Sequence, residues 1–263
     1  MENDLKVVVK GAGEVASGVA YFLFSKDFPI IMTDVSKPTT QRRTVAFAEA
    51  IFSGEIEVEG VKAKKVKTND DLFAILDDGF IPVVVDPEAG IVDDVNPEIL
   101  VDGIMAKKNL GTNRKDADLV IGLGPGFSAG EDVDVVIETA EGSSLGEVIQ
   151  EGEALPNTSM ACDIRGYTNE RVLRAPSDGI FKTSVKIGDL VEAGDKVGEV
   201  GEKKVEAEIS GSIRGIVKDG LEVAENQKLG DIDPRGLREF RISDRSLAIA
   251  NGVWNAIRDR FSL

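Results

Sequence analysis

The chain has 263 residues, of which 42% are hydrophobic and 30% are charged, as is typical of a globular protein with one or two domains. Its formal net charge of −16 argues against nucleic acid and anionic membranes as partners, since both are bound through lysine and arginine. Histidine is absent, which excludes Ser-His-Asp and Cys-His catalysis and histidine-based metal sites. The single cysteine, Cys162, cannot form an internal disulfide. We predict no metal site.

Localisation is predicted from two further absences. The sequence has no run of about 18 consecutive apolar residues, so no membrane span is expected. The N-terminal residues lack a basic region followed by an apolar stretch, so no secretory signal is expected. We therefore expect a cytoplasmic protein.

The first part of the chain predicts strands alternating with helices. A near-continuous apolar run at 5–10 indicates a strand buried on both faces, followed by a helix at 14–25 and a strand at 29–34. Further predicted elements are a helix at 41–52, a strand at 61–66, a helix at 70–76, and strands at 82–85, 99–105, 119–123 and 133–139. This alternation predicts an α/β class with a Rossmann-like, mostly parallel sheet over residues 1–168.

A change in residue pattern from about residue 169 predicts a second, smaller domain. Residues 191–200 (VEAGDKVGEV) resemble residues 223–232 (VAENQKLGDI), which indicates a small, pseudo-symmetric all-β domain over 169–234. Residues 235–263 are predicted to form a C-terminal helical segment in which Ser243 caps the helix. Its predicted apolar face consists of Leu247, Ala250, Trp254, Ile257 and Phe261.

The clearest candidate binding feature is the glycine turn that joins the first strand to the first helix. Residues 11–16 (GAGEVA) fit the pattern G-x-G-x-x-G/A in this context. Gly11 would permit a tight turn, and Gly13 would let a phosphate approach the backbone. The helix N-terminus adds N–H groups and partial positive charge, so Ala12, Glu14 and Val15 are included in the predicted site. The alternative is a glycine turn that only packs tightly.

Side chains after the second strand suggest which anion this turn would hold. Asp34 ends that strand about 20 residues after Gly13, where a carboxylate commonly bonds to a ribose, as in NAD binding. The alternative is that Asp34 caps a helix or turn. Arg42 and Arg43 follow, and guanidinium groups suit phosphate, which leaves an NADP-like or other polyanionic ligand open.

Two further loops follow predicted strands. Lys107, Lys108 and Asn109 follow the strand at 99–105, and Gly124 and Gly126 follow the strand at 119–123. In a parallel sheet the loops after the strands share one edge, where ligands bind. We therefore expect these loops to converge with the glycine turn and with Arg42 and Arg43 on one small anionic ligand.

Several longer stretches together indicate a family: they are residues 10–18, 37–45, 105–112, 120–134, 134–149, 154–158 and 174–181. They resemble the YqeB-type accessory proteins of selenium-dependent molybdenum hydroxylases, which are related to the XdhC/CoxI-type maturation factors. The resemblance implies a Rossmann-like domain, a role in maturing a molybdenum hydroxylase, and that hydroxylase as a partner. It also makes a molybdopterin-type nucleotide a candidate ligand. Residues 140–146 (AEGSSLG) depart from the family, which usually carries a basic residue and a histidine there.

The predicted β-domain resembles the barrel-sandwich fold of biotinyl and lipoyl carriers. In such carriers a lysine at a hairpin tip bears the cofactor, and Lys204 falls near such a tip. Neither the Met-Lys-Met nor the Asp-Lys-Ala context surrounds it, so we expect no biotin or lipoate on Lys204.

Two other functions stay open. An NAD(P)-dependent oxidoreductase would need a proton donor or acceptor; Tyr21 and Tyr167 are not followed four residues later by lysine, which leaves lysine or carboxylate chemistry. A carrier or scaffold built on the β-domain is the third alternative. Whether the protein is an enzyme stays open, and no catalytic residue is assigned. Association into a homo-oligomer also stays open.

Overall fold

The computed structural model describes residues 4–157, 161–238 and 240–263. The chain divides into two compact units. The first unit comprises Met1–Pro38, Ala46–Asn157 and Ile242–Leu263, and the second comprises Thr39–Val45 and Thr158–Arg241. Within the described part of the chain, every helix is too short or too polar to cross a membrane.

The secondary structure of the first unit is as follows. Its strands are β1 (Val7–Lys10), β2 (Ile30–Asp34), β3 (Glu55–Val58), β4 (Val61–Lys65), β5 (Ile81–Val85), β6 (Ile99–Asp102), β7 (Leu119–Leu123), β8 (Ser128–Ala129), β9 (Val135–Ile137), β10 (Val148–Ile149) and β11 (Gly152–Glu153). Its helices are α1 (Glu14–Phe24), α2 (Glu49–Ser53), α3 (Asn69–Asp77), α4 (Ile91–Val95) and α5 (Asp244–Phe261).

A mixed sheet forms the centre of the first unit, in the strand order β10-β9-β7-β6-β1-β2-β5-β4-β3. The neighbours from β9 to β4 are parallel, whereas β10 and β3 pair antiparallel at the two edges. Val7, Val8 and Val9 of β1 have no exposed surface, because this strand lies in the middle of the sheet with both faces covered. The parallel arrangement brings the carboxyl ends of the central strands to one edge.

Helix α5 packs against α1 and against β7, β9 and β10. The two helices approach closely because Gly18 has no side chain; a Cβ there would lie 2.6 Å from the Cβ of Ser246. Ser243 caps α5 as predicted, since its hydroxyl accepts a hydrogen bond from the Ser246 amide. The buried face differs in part from the predicted one and consists of Ser246, Ile249, Ala250, Gly252, Val253, Ala256 and Ile257.

The second unit is built from short strands. They are β12 (Val172–Arg174), β13 (Gly179–Lys182), β14 (Leu190–Val191), β15 (Lys196–Val200), β16 (Lys203–Glu206), β17 (Gly211–Ile216), β18 (Glu222–Val223) and β19 (Lys228–Asp233). They form two antiparallel sheets, β12-β19-β17-β14 and β16-β15-β13-β18. The sequence repeat coincides with this structure, because β13, β14 and β15 correspond in order and spacing to β17, β18 and β19.

The predicted fold class is wrong. The expected Rossmann-like sheet with regular strand–helix alternation is a mixed sheet with antiparallel strands at both edges. The described residues 103–118 join β6 to β7 without a helix, and residues 124–134 join β7 to β9 without one. In place of one barrel-sandwich domain like those of biotinyl and lipoyl carriers, the second unit has two small antiparallel half-barrel sheets. The apolar strands were recognisable, but their connections and edge pairings were not.

The predicted helix at 41–52 is also wrong. Arg43–Val45 is a 3₁₀ turn, and α2 begins only at Glu49. The start of the predicted helix does not form because its backbone bonds elsewhere: the Gln41 carbonyl accepts a 2.8 Å hydrogen bond from the Ile216 amide of β17. Strands β3, β8, β10 and β11 and helix α4 were not predicted, since each is short.

Candidate functional site

The carboxyl ends of the central strands form the candidate site. Lys10 ends β1, Asp34 ends β2, Asp102 ends β6 and Leu123 ends β7. The loops after β1, β6 and β7 belong to the first unit and carry residues that the sequence predicted as ligand-binding, whereas the segment after β2 enters the second unit at Thr39. We call this region the carboxyl edge.

The glycine turn contacts the loop that follows β6. Gly11 has φ +86°, and a Cβ on it would lie 3.1 Å from the Gly103 carbonyl oxygen and from the Ile104 amide nitrogen. Gly13 is the N-cap of α1 and makes no side-chain capping bond. The N–H groups of the first helical turn have no acceptor within the helix, so this end of α1 presents hydrogen-bond donors and partial positive charge.

Asp34 caps the glycine turn. Its Oδ2 accepts a 2.8 Å bond from the Ala12 amide and its Oδ1 a 2.7 Å bond from the Val35 amide. Burial raises the pKa of Asp34, and the two amide bonds oppose that rise. The bonds that Asp34 makes in the structure are those of the alternative in which it caps a turn. A contact between Asp34 and a ribose stays a prediction.

The loop after β6 and the loop after β7 lie against each other at Gly126. A Cβ on Gly126 would be 2.5 Å from the Lys108 amide nitrogen and 2.6 Å from the Lys107 carbonyl carbon. Gly126 also has φ +110°, which L side chains rarely adopt. Lys107 and Lys108 themselves are exposed. The structure thus places the glycine turn against the start of the loop after β6, and Gly126 against Lys107 and Lys108 of the same loop; the binding of one ligand by these segments stays a prediction.

Two predicted binding residues have structural roles. The Asn109 side chain closes its own loop: Oδ1 accepts 2.8 Å bonds from the Gly111 and Thr112 amides, and Nδ2 donates a 2.8 Å bond to the Thr112 carbonyl. Gly124 leaves space for Thr139, whose hydroxyl a Cβ would overlap. Ligand contacts by these two residues stay predictions.

Arg42 and Arg43 belong to the second unit. The Arg42 guanidinium donates a 2.9 Å bond to the Arg241 carbonyl, and Arg43 donates a 2.9 Å bond to the Ile216 carbonyl. These bonds join the 39–45 segment to the rest of that unit, and the phosphate contacts proposed for both arginines stay predictions.

Sequence reasoning missed a buried charged cluster at the carboxyl edge, which we call the Lys10 cluster. It consists of Lys10, Thr112 and Asp102, which are 4%, 3% and 2% exposed. Lys10 donates a 2.7 Å hydrogen bond to the Thr112 hydroxyl, which donates a 2.6 Å bond to Asp102 Oδ2. The signal was present in the sequence, because Lys10 and Asp102 are charged residues at the ends of two buried apolar strands, and they lie in register.

The second unit has a buried charged cluster of its own, which we call the Arg171 cluster. Arg171 is 2% exposed and donates bonds of 3.2 and 3.0 Å to the Cys162 carbonyl and one of 3.2 Å to Cys162 Sγ. Its Nη1 lies 3.6 Å from Asp231 Oδ2, and Lys228 Nζ lies 3.0 Å from the same oxygen. Its guanidinium therefore holds the chain around Cys162 to β19.

Lys204 lies on β16, paired with Glu199 of β15, and its side chain is exposed. The hairpin tip is formed by Gly201 and Glu202, so Lys204 is two residues beyond the tip.

Comparison with known proteins gives one curated relative. The chain is 47% identical over 253 residues to the "Uncharacterized protein YqeB" of Escherichia coli K12, a match that covers 95% of this chain and 47% of that protein. The chain therefore spans about half the length of the relative it matches. No family model matches the chain.

Solved structures with some similarity include an aspartoacylase family protein of Mesorhizobium loti, with a TM-score of 0.29 and 10% identity over 88% of this chain and 85% of that one. A succinylglutamate desuccinylase/aspartoacylase of Rhodobacter sphaeroides has a TM-score of 0.27 and 9% identity over 87% of this chain and 85% of that one.

Proposed function

We propose that the protein is an accessory factor in the maturation of a molybdenum hydroxylase of the selenium-dependent type, and that it binds a phosphate-bearing ligand of the molybdopterin-nucleotide class at the carboxyl edge. The proposal is carried by the contact of three loops at this edge, at Gly11 and Gly126. The likeness to an uncharacterised relative adds no activity, so the link to a hydroxylase comes from the sequence resemblance.

The chemistry of the edge favours an anion. Backbone N–H groups of the first turn of α1 and the helix dipole attract negative charge. Lys107 and Lys108 add two exposed ammonium groups from a loop that contacts Gly126. In a chain with a formal net charge of −16, such a local group of donors and cations is what a phosphate ester requires.

Binding can be measured by titration calorimetry with molybdopterin, its cytosine dinucleotide, NADH, ATP and inorganic pyrophosphate. We expect the molybdopterin compounds to bind without turnover, and the double substitution Lys107→Ala/Lys108→Ala to weaken binding by about tenfold, or about 1.4 kcal/mol. The matched control is Lys203→Ala/Lys204→Ala, an exposed lysine pair on β16, which should leave the affinity unchanged.

Two results would contradict the proposal. Equal affinity of the Lys107/Lys108 variant and the unaltered protein would remove the carboxyl edge as the site. Hydride transfer from NADH to a small molecule would favour the NAD(P)-dependent oxidoreductase instead.

A further inference from the structure

The ammonium group of Lys10 is buried with most of its hydrogen-bonding capacity unused. A lysine ammonium has three N–H donors. Among the described residues, Lys10 Nζ makes one hydrogen bond, to the Thr112 hydroxyl at 2.7 Å. Asp102 Oδ2 is 3.8 Å away, which is an ion pair but too long for a hydrogen bond. The Lys10 side chain is 5% exposed, and two of its three N–H groups therefore have no acceptor among the described residues.

This geometry differs from that of a structural ion pair. Burial of an ammonium costs several kcal/mol, which a carboxylate offsets best in direct hydrogen-bonded contact. Here a hydroxyl lies between the charges: Thr112 accepts from Lys10 and donates to Asp102 at 2.6 Å. Asp102 in turn accepts a 3.1 Å bond from the Ile104 amide through Oδ1. The carboxylate therefore fixes the hydroxyl and the loop, and the ammonium is held at one point only.

The loop that presents Thr112 is itself fixed. Asn109 bonds to the main chain of Gly111 and Thr112 through three hydrogen bonds of 2.8 Å. The Thr112 hydroxyl is thus positioned before any ligand arrives, and it holds the lysine side chain in one direction.

The position of Lys10 connects it to the proposed site. Lys10 immediately precedes Gly11, and Asp102 immediately precedes Gly103, the residue that Gly11 contacts. Both charged residues are thus the last strand residues beneath the two loops that meet at the carboxyl edge. From this juxtaposition, and resting on the proposed function, we infer that Lys10 is a ligand-binding residue whose two unused N–H groups bond to an anionic oxygen of a phosphoryl group, with Thr112 and Asp102 as positioning residues.

The test uses inorganic pyrophosphate as the probe and the whole chain. Lys10→Met keeps the length and apolar stem of the side chain and removes the charge; we expect it to weaken pyrophosphate binding by tenfold or more. The control is Lys6→Met, just before the opposite end of the same strand, where Nζ donates a 2.6 Å bond to the Val95 carbonyl. Lys6→Met should leave pyrophosphate affinity unchanged. Equal affinity of folded Lys10→Met and the unaltered protein would overturn the inference.

A second measurement covers the case in which Lys10→Met does not fold. In the unaltered protein labelled with ¹⁵N-lysine, the Nζ resonance of Lys10 should shift on addition of pyrophosphate, while that of Lys6 should not. Thr112→Val should reduce the affinity and Thr112→Ser should retain it, because only serine keeps the bridging hydroxyl. An unmoved Lys10 resonance in a pyrophosphate-saturated sample would overturn the inference.

These outcomes separate the inference from the proposed function. If the unaltered protein binds neither pyrophosphate nor the molybdopterin compounds, the proposed function and the inference about Lys10 are both wrong. If binding is weakened by Lys107→Ala/Lys108→Ala but not by Lys10→Met, only the role of Lys10 is lost.

Discussion

Each unit contains a buried basic side chain, Lys10 in the first and Arg171 in the second, and the two are held differently. In the second unit, Arg171 makes three hydrogen bonds to Cys162 and an ion pair with Asp231. Asp231 forms a second ion pair with Lys228. In the first unit, Lys10 makes one hydrogen bond to another described residue, the Thr112 hydroxyl. Arg171 fastens the main chain at Cys162, and its Nη1 has no hydrogen-bond partner among the described residues. Lys10 lies next to loops that approach each other at Gly126. Burial of a charge and unused donors therefore do not by themselves identify a binding site; the position of the side chain relative to the loops is more informative.

The largest effect is expected from Arg171→Met, which tests the structural role of the Arg171 cluster. Removing the guanidinium leaves Asp231 buried with only Lys228, and loses the bonds to the Cys162 carbonyl. Breaking a buried pair in this way costs about 3–5 kcal/mol. We expect faster amide hydrogen exchange across β12 and β19, measured by mass spectrometry, with unchanged pyrophosphate affinity. The exposed Arg174→Met is the control, and equal exchange in the two variants would contradict a structural role for Arg171.

A smaller effect is expected at the loops beside the Lys10 cluster. Gly126→Ala places a Cβ against the main chain of Lys107 and Lys108, and strain of this kind costs about 1–3 kcal/mol. The matched control is Gly130→Ala in the same loop, which has φ +87° but no atom within 4 Å of the new Cβ. We expect the control to lose stability from backbone strain alone and Gly126→Ala to lose pyrophosphate affinity as well. Equal affinities would separate the Gly126 contact from ligand binding.

The pH dependence of anion binding should distinguish the carboxyl edge from the second unit. Because burial raises the pKa of Asp34 above its usual 3.8, lowering the pH through that raised value neutralises a carboxylate beside the glycine turn. Removing one negative charge near the anion is worth about 1 kcal/mol, or roughly fivefold in affinity. We expect sulfate, which stays a dianion at mildly acidic pH, to bind more tightly as the pH falls through the raised pKa of Asp34. Asp34→Asn should reduce the dependence of sulfate affinity on pH. An identical pH profile in the variant and the unaltered protein would contradict the placement of the anion beside Asp34.

The same raised pKa has a consequence for stability, with a definite sign. The neutral form of Asp34 is favoured in the folded protein, so its contribution to folding is fully present below pH 3.8 and is lost as the pH rises through the folded-state value. The Ala12 and Val35 amides, which donate to the ionised carboxyl group, oppose the rise in its pKa.

The smallest effect is expected from Lys228→Met. Lys228 is 38% exposed, and its ion pair with Asp231 is partly screened by water. We expect a loss of about 0–1 kcal/mol, measured by urea denaturation followed by circular dichroism. A loss as large as that of Arg171→Met would show that Asp231 depends on both cations equally.

Much of the local structure could be predicted from the sequence. The apolar runs placed β1, β2 and β7 within two residues of their observed ends, and Ser243 was identified as the cap of α5. Strand order and edge pairing could not be predicted, because they depend on which distant strands bond to each other. The segment 41–52 was misassigned for the same reason: the Gln41 carbonyl bonds to the amide of Ile216, far along the chain.

The site was predicted only in part. Chain order and the shared edge of parallel strands were enough to expect the loops after β1, β6 and β7 on one edge, whereas their joint binding of a ligand stays a prediction. The role of Asn109 in closing its loop and the bridging hydroxyl of Thr112 depend on side-chain geometry, which spacing does not encode. A binding role for Lys10 was not predicted, because Lys10 is the last residue of an apolar strand and was interpreted as part of that strand.

The packing of α5 on α1 gives the protein a built-in optical probe. Trp254 is the single tryptophan of the chain; its ring meets Phe28 edge-on at 6.0 Å, and the Lys26 ammonium lies 5.0 Å from its centroid. Intrinsic fluorescence excited at the red edge of protein absorption therefore comes from this helix pair alone. Separation of the two helices removes the Phe28 and Lys26 contacts of the indole and will change the emission, so fluorescence reports on this part of the first unit directly.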